Sequence, residues 1–517
     1  MDLKLPENWI SVSFETIFEN ISISNLKIKE DQYLDAGLYP VIDQSSSRIV
    51  SGFTNDASKL VNHKGSKIVF GDHTKVIKLI NDPFVPGADG IKVLNINSNL
   101  SIKYAYYLLK SLKIPNKGYA RHFSLLKNFS YPLAPFIEQN KIVQKIEELF
   151  SEIDDGIQTL ETAKKQLDVY RKAVLIQAFE GKLTEEWRAL NSDKLPNEAF
   201  FLSAINHDRE ERYKKQIAAW NQELLDWEKS GKTGSKPKKP KPLPRIESTQ
   251  LSTEGLPKGW VKTNLENVCD FITKGTTPAK DALFANQGDI PFIKVYNLTH
   301  KGYLDFSIDP TFVSNETHEG FLKRSKVYPN DVLMNIVGPP LGKVSIVPDT
   351  YPEWNINQAI AIYRSNLIDS KYLSEFLLNE NTVRAMMSQS KATAGQFNLT
   401  LEICRNFPIP VCSKLEQAEI VKSLSENLTN AQYLQETIDQ QLEQLTLLKQ
   451  TVLQKAFSGE LVPQDPNDEP ASVLLERIKA EKEEELAKAK ANKAPKKPTK
   501  RKTKTTKEDE PAQQELI

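Results

Sequence analysis

The chain has 517 residues, 26% of them charged and 39% hydrophobic, and its 68 Lys and Arg against 67 Asp and Glu leave a formal net charge of +1. That length exceeds what one hydrophobic core holds, so two or more domains of ordinary soluble composition are expected. No run approaches the roughly 18 apolar residues of a membrane span, residues 1–6 carry no apolar signal run, and Cys269, Cys404 and Cys412 form no CxxC pair, so a disulfide framework and a zinc site are argued against and a reducing cytoplasmic setting is expected.

Taken in order, the chain states itself twice. Leu5-Pro6-x-x-Trp9 returns as Leu256-Pro257-x-x-Trp260, and Gly37-x-x-Pro40-x-Ile42 as Gly288-x-x-Pro291-x-Ile293, both at an offset of 251. Lys75-Val76 and Lys103-Tyr104 return as Lys343-Val344 and Lys371-Tyr372 at 268, and Asn128-Phe129 returns as Asn406-Phe407 at 278. The second copy has therefore gained 17 residues before Lys343 and 10 more between Tyr372 and Asn406. In the first globular part, 1–137, residues 39–42, 67–70 and 76–80 are strand-like and 104–112 reads as a helix. In the second, 256–415, residues 290–295, 331–337, 344–347 and 359–363 are strand-like, and 371–378 is the matching helix.

Each globular part runs into a long amphipathic stretch, 138–183 and 416–461, and these two align without a gap. Apolar residues recur at steps of three and four from Ile142 through Ile146, Leu149 and Ile153 to Val174, and from Ile420 through Leu424, Leu428 and Ala431 to Val452. That is the coiled-coil pattern, and neither stretch contains a proline. Gly156 weakens the first helix by roughly 1 kcal/mol relative to alanine, and Gly181 and Gly459 are stop signals. A narrow apolar seam needs a partner, and the other copy is the obvious one. The expected fold is therefore α+β: two tandem globular α/β-type parts separated by two long helices that form an antiparallel coiled coil with a pseudo-two-fold internal repeat. Segments 184–255 and 462–517 each hold a charged helix, the first from Asp208 to Lys229, followed by a Lys/Pro tract at 236–242 and 496–502. Such tracts bury no core and are expected to be a flexible linker and a basic disordered tail.

Catalytic and cofactor signatures are missing. There is no GxxxxGK[ST] loop, GxGxxG fingerprint or HExxH, and Gly338-Pro339-Pro340 lacks the polar and aromatic flanks of an amino-methyltransferase loop. No catalytic residue and no metal ligand is assigned. The legible signals are for nucleic acid. Lys274-Gly275-Thr276-Thr277 is a small basic, hydroxyl-rich loop suited to phosphate oxygens. Lys343 ends a Gly- and Pro-rich turn, and His73-Thr74-Lys75 sits at the matching place in the first copy. Arg121 and His122, and Gln396 and Asn398, lie just before the two long helices. Arginine pairs with guanine, and Gln or Asn with adenine, at the major-groove edge.

The layout resembles the specificity (S) subunit of type I restriction–modification enzymes over nearly the whole chain. The sharper marks are Pro132-Leu133-Ala134-Pro135-Phe136-Ile137-Glu138-Gln139, the returning Glu416-Gln417, and the endings Ala178-Phe179-Glu180-Gly181-Lys182-Leu183 and Ala456-Phe457-Ser458-Gly459-Glu460-Leu461. Leu461-Val462-Pro463-Gln464-Asp465-Pro466 is similar to that family too, whereas Val411-Cys412-Ser413-Lys414 departs from its usual Pro-rich run. The resemblance implies two target-recognition domains, separated by two conserved helices, that read the halves of a split double-stranded DNA target across an unread spacer. It implies no catalytic centre and no cofactor in this chain. It implies docking of two modification (methyltransferase) subunits that methylate adenine with S-adenosylmethionine, and recruitment of restriction subunits, the translocase and nuclease partners that use ATP and Mg2+. The alternatives are a self-contained DNA-modifying or cleaving enzyme with fused recognition domains, which the missing motifs argue against, and a coiled-coil adaptor that binds all duplexes alike.

Overall fold

The computed structural model describes residues 5–61, 65–87, 89–116, 118, 120–390 and 398–491. The chain divides into two units, Met1–Leu160 with Gln440–Ile517, and Glu161–Asp439, so the division passes through both long helices. No described helix is long and apolar enough to cross a membrane.

The first unit is built on a four-stranded antiparallel sheet in the order Phe18–Ile21, Ile91–Ile96, Lys67–Gly71, Ile77–Ile80. A three-stranded sheet of Gly52–Thr54, Tyr39–Ile42 and Val85–Pro86 stands beside it, and a ribbon pairs Ile10–Val12 with Tyr131–Leu133. The second unit repeats this plan with additions. Its main sheet runs Phe271–Lys274, Ile360–Arg364, Val332–Asn335, Val344–Ile346, Gly302–Tyr303, and its ribbon pairs Val261–Asn264 with Pro408–Val411. Its second sheet has five strands rather than three, using Thr311–Val313 and Lys326–Val327 from the enlarged stretch before Lys343. The later gain contains an extra helix, Glu380–Ser388.

The long helices span Phe136–Phe179 and Lys414–Ser458, each starting two residues before the repeat's Glu-Gln. Within each unit they pair antiparallel. In the first, Asp154 pairs with Lys449, and Gly156 faces Leu445. In the second, Lys164 Nζ lies 2.7 Å from Asp439 Oδ1, and the Tyr170 hydroxyl donates to Asn427 at 2.6 Å. Both helices end as the glycines indicate. Gly181 and Gly459 have φ of +74° and +81°, and the next amide reaches back to the carbonyl five residues earlier, Lys182 N to Gln177 O and Glu460 N to Lys455 O, both at 2.9 Å. That left-handed turn satisfies carbonyls the helix end would leave bare, and only glycine adopts it without a steric penalty.

The repeated residues have repeated jobs. Gln139 donates to Ala134 O at 2.9 Å and accepts from the amide of Ser101, the N-cap of helix Ile102–Ser111. Gln417 does the same with Cys412 O and with Asp369, the N-cap of helix Ser370–Leu378. Tyr104 and Tyr372, both fully buried, donate to Pro132 O and Pro410 O. Each tyrosine then meets, edge to face at 5.2 Å, the phenylalanine that ends the other repeat's long helix: Tyr104 with Phe457, and Tyr372 with Phe179. Any side chain at Gly459 would strike Pro6, and any at Gly181 would strike Pro257, so the Leu-Pro-x-x-Trp repeat is the seat for these helix ends.

The charged helices are longer and better anchored than the sequence indicates. Glu198–Lys229 starts ten residues before Asp208, capped by Asn197, whose side chain accepts from Phe200 N. It buries Phe201 and Ile205, and Arg209 bonds Pro244 O and Asn267. The Lys/Pro tract expected to be a flexible linker returns along this helix. Trp220 Nε1 donates to Pro237 O at 3.0 Å and Trp227 Nε1 to Gly234 O at 3.2 Å, with Lys239 over the Trp220 ring. Helix Ala471–Ala491 buries Ala471, Leu474 and Ile478 in the first unit's core, and the tract at 496–502 lies outside the described residues.

Phe457→Ala should cost about 3–5 kcal/mol, the range for a buried aromatic, and should do so in the first unit. Hydrogen exchange is expected to quicken in helix Ile102–Ser111 and stay unchanged in Ser370–Leu378, with Phe179→Ala giving the reverse pattern. A second expectation concerns Asp270, whose carboxyl is pushed up to about 6 by burial and then by Asp208. Below pH of about 4 it is protonated whether folded or not, so it costs nothing; as pH rises through 4 to 6 only the unfolded chain releases the proton, and stability falls. Asp270→Asn keeps an acceptor for Asn366. It should raise the thermal midpoint by a few degrees at pH 7.5, a difference that closes on acidification to pH of about 4.

Candidate nucleic-acid interface

Strand register decides which loops share an edge. In the second unit, Lys274 lies opposite Ala361, Asn335 opposite Ile360 and Met334 opposite Val344. The loops at 275–278, 336–343 and 357–359 therefore leave the main sheet at one end. Gly275 permits this convergence, because a Cβ there would collide with the Ile356 and Asn357 carbonyl oxygens. Gly275 N donates to Ile360 O at 3.0 Å, and Thr277 Oγ1 accepts from Gln358 N at 3.2 Å. The turn ending at Lys343 is shaped by buried Asn335. Its amide donates to Pro340 O at 2.9 Å, and its oxygen accepts from Lys343 N at 2.7 Å. Asn398 joins the same turn by accepting from Gly338 N at 3.4 Å. Lys274, Thr276, Thr277, Lys343 and Asn398 thus belong to one loop cluster, in which Lys274, Thr277 and Asn398 are exposed. Gln396 lies outside the described residues.

The first unit builds the corresponding edge from different residues. Strands Lys67–Gly71 and Ile77–Ile80 are joined by the turn carrying His73, Thr74 and Lys75, and Gly71 opposite Ile91 brings residues 89–90 beside it. Gln44 grips this turn. Its carbonyl accepts from Thr74 Oγ1 at 2.8 Å, its side-chain oxygen accepts from His73 N at 3.2 Å, and its amide donates to Asp89 O at 3.0 Å. Asp72 ties in the segment before the long helix, its carbonyl accepting from His122 N at 2.8 Å and its carboxylate from Phe123 N at 2.7 Å. His73, Thr74, Lys75, Arg121 and His122 are therefore gathered as well.

One residue of that set is placed differently from the sequence expectation. His122 is fully buried, and its Nδ1 sits 3.0 Å from the Asp72 carbonyl, which requires the proton on Nδ1. It fastens the turn and has no surface to present to a base, whereas its neighbour Arg121 is exposed. Sequence reasoning missed the turn-shapers Gln44 and Asn335, and the fastening role of Asp72, which falls in the run Asp72-His73-Thr74-Lys75. Asn335 alone left a signal, an amide side chain just ahead of a Gly-Pro-Pro turn. The structure also gathers His318, Glu319 and Glu353 within 4.8 Å. Lys326 pairs with both carboxylates, and Asn355 and Glu353 hold the two ring nitrogens of His318, so the group ties helix Asn315–Glu319 to the strands Lys326–Val327 and Trp354–Ile356.

Comparison with known proteins follows the same division. Residues 6–163 and 257–444 both match the family model described as the type I restriction modification DNA specificity domain. The chain is 27% identical over 374 residues to the type I restriction enzyme EcoBI specificity subunit of Escherichia coli, an overlap covering 69% of this chain and 65% of that one. It is 24% identical over 503 residues to the EcoDI specificity subunit of Escherichia coli, covering 93% and 96%. Among solved structures, a chain from work on complex assembly and conformational transition of the type I R-M system shares the fold, with a TM-score of 0.55 at 17% identity over 88% of this chain and 99% of that one. Two matches to one model, laid over the two copies of a tandem repeat, mean that the chain belongs to the family of type I restriction–modification specificity subunits, which recognise DNA and do not catalyse.

Proposed function

We propose that the two loop clusters read the two halves of a bipartite double-stranded DNA target. Residues 1–137 act as one target-recognition domain and 256–415 as the other. The observation that carries this reading is the equivalence of the two edges. Each lies at the corresponding end of its unit's main sheet, each is built on the turn whose Lys-Val repeats at an offset of 268, and each is tied to the segment that leads into a long helix. Arg121 in the first cluster, and Lys343 with Asn398 in the second, supply the base-edge donors and acceptors. Lys75, Lys274, Thr276 and Thr277 supply backbone contacts that position the duplex.

In this reading the long helices, which carry the chain from one unit into the other, set the unread spacer and dock two modification subunits, and restriction subunits join the assembly. S-adenosylmethionine, ATP and Mg2+ belong to those partners, and the complex works in the cytoplasm. Arg121→Ala should weaken binding to the first half-site by about 1–3 kcal/mol and relax its sequence while leaving the second half-site unchanged. Competition binding with duplexes altered in one half at a time measures this, and equal loss at both halves would remove Arg121 from the readers. The spacer gives an independent check. One heptad inserted in each helix, after Leu160 and after Ile438, keeps the apolar seam in register and adds about 10 Å, or roughly three base pairs. Methylation mapping of the reconstituted complex should find the same half-sites with a longer spacer; an unchanged spacer in a folded variant defeats the idea.

A further inference from the structure

Beside the first unit's reading turn lies a notch of about 530 Å³. Its walls are residues 75–77 of the turn, residues 109–114 at the end of helix Ile102–Ser111, and Gln450, Leu453 and Gln454 of the second long helix. Among the described residues, three lysines line it and no carboxylate does. Lys110 is engaged with Tyr106, donating to the hydroxyl at 3.1 Å, which leaves Lys75 and Lys113 as the other lysines of the lining. Lys75 also holds a left-handed backbone, φ +59°, which its counterpart Lys343 does not share; in the second unit it is the residue before, Gly342, that has φ of +87°. Keeping a lysine in a conformation that favours glycine points to use of its side chain.

The second unit shows what happens when such a space is closed. Its extra helix, Glu380–Ser388, has no counterpart among the described residues of the first unit, and it follows directly on helix Ser370–Leu378. Val383 packs against Gly342 of the turn. Glu380 pairs with Lys172 at 3.4 Å, and Lys172 is the residue that aligns with Gln450. The space between turn, short helix and long helix thus holds a helix and a carboxylate in one repeat, and is open and lined by lysines in the other.

We propose that the first unit's notch is a phosphate site that takes one backbone phosphodiester of the DNA strand passing the reading turn. Lys75 and Lys113 supply the charge, and the side-chain amides of Gln450 and Gln454 donate to the remaining oxygens. The site rests on the DNA-reading assignment and deepens it. It joins the first repeat's reader to the end of the second repeat's helix through one bound group, and it anchors the backbone at one half-site only.

The test uses the assembled methyltransferase complex and duplexes bearing a single uncharged methylphosphonate at successive positions across and beside the first half-site. One position is expected to weaken the wild-type complex about tenfold, the scale of one charge-assisted hydrogen bond, and to cost the Lys113→Ala complex almost nothing. Lys113→Ala should also lower the slope of log affinity against log salt by about one, with base preference unchanged. Gln454→Glu, which places a carboxylate in the notch, should mimic it, while Lys479→Ala, an exposed lysine in helix Ala471–Ala491, should couple to no phosphate. Losses that simply add at every position overturn the site. Saturable binding of inorganic phosphate, lost in Lys113→Ala without any coupled methylphosphonate, makes it a free-anion site and overturns the DNA assignment of the notch. A wild-type complex with no preference for any duplex would instead sink the reading on which the proposal stands.

Discussion

The structure depends on an exchange made twice. Each repeat's buried tyrosine, Tyr104 or Tyr372, packs against the phenylalanine that ends the other repeat's long helix. The same helix end turns on a glycine that leaves room for the other repeat's proline, Pro6 or Pro257. Neither globular part therefore completes its core with its own chain segment alone. The first needs Val452, Leu453 and Phe457, and the second needs Val174, Ala178 and Phe179. Buried aromatic contacts of this kind contribute several kcal/mol through area alone. This requirement holds each reading edge to a helix pair and couples reader to scaffold more strongly than any surface ion pair would.

Where the repeats agree and where they diverge follows from that exchange. Gln139 and Gln417 make the same two bonds, because a residue fastening a helix start to another helix's N-cap has a fixed geometry to meet. The neighbouring carboxylates are less constrained. Glu138 accepts from Trp9 Nε1 at 2.9 Å, and burial pushes its carboxyl up. Glu416, equally buried, is paired with Arg188 and accepts from Thr184 at 2.9 Å. Both solutions supply a donor to a carboxylate out of water, which the low-dielectric interior demands, but one uses an indole and the other a guanidinium. Insertions fall away from these points. The 17 residues enlarge the second sheet, and the later 10 accompany the helix that closes the second unit's notch.

The scaffold was legible in the sequence because its signals are periodic or repeated. A seam of apolar residues at steps of three and four names a long helix with little ambiguity. Two ungapped copies name its partner. The strands were less legible. Lys67–Gly71 and Ile360–Arg364 are compact apolar runs, whereas Phe18–Ile21 and Phe271–Lys274 are short, mixed in polarity, and become strands only because a distant segment pairs with them. The interface was legible as places and not as roles. His73, Lys75, Lys274 and Lys343 fall at the sheet edges where the repeat puts them, yet His122, which in sequence has the look of a reader, is consumed in holding Asp72. Burial of a single polar side chain is decided by tertiary packing, and composition carries no trace of it. The contact of the tract at 236–242 with Trp220, whose Nε1 donates to Pro237 O, is likewise a product of tertiary packing that composition does not announce.

The reading edges themselves follow one physical rule. A turn that must present side chains to a groove cannot also bury apolar surface, so its shape has to come from hydrogen bonds. In both units those bonds come largely from single side chains: Gln44 reaching from beyond strand Tyr39–Ile42, Asp72 just after strand Lys67–Gly71, and Asn335 at the end of strand Val332–Asn335. Each satisfies backbone groups, and the side chains of Lys75 and Lys343 take no part in those bonds, whereas Thr74 and Asn398 help to fix the turns. The displayed residues differ between the two copies, His73 and Lys75 on one edge and Lys343 and Asn398 on the other, while the turns stay where the helices need them. A fold that separates the groups fixing a loop from the groups displayed on it can change what it recognises one side chain at a time, without reopening the core on which both units rest.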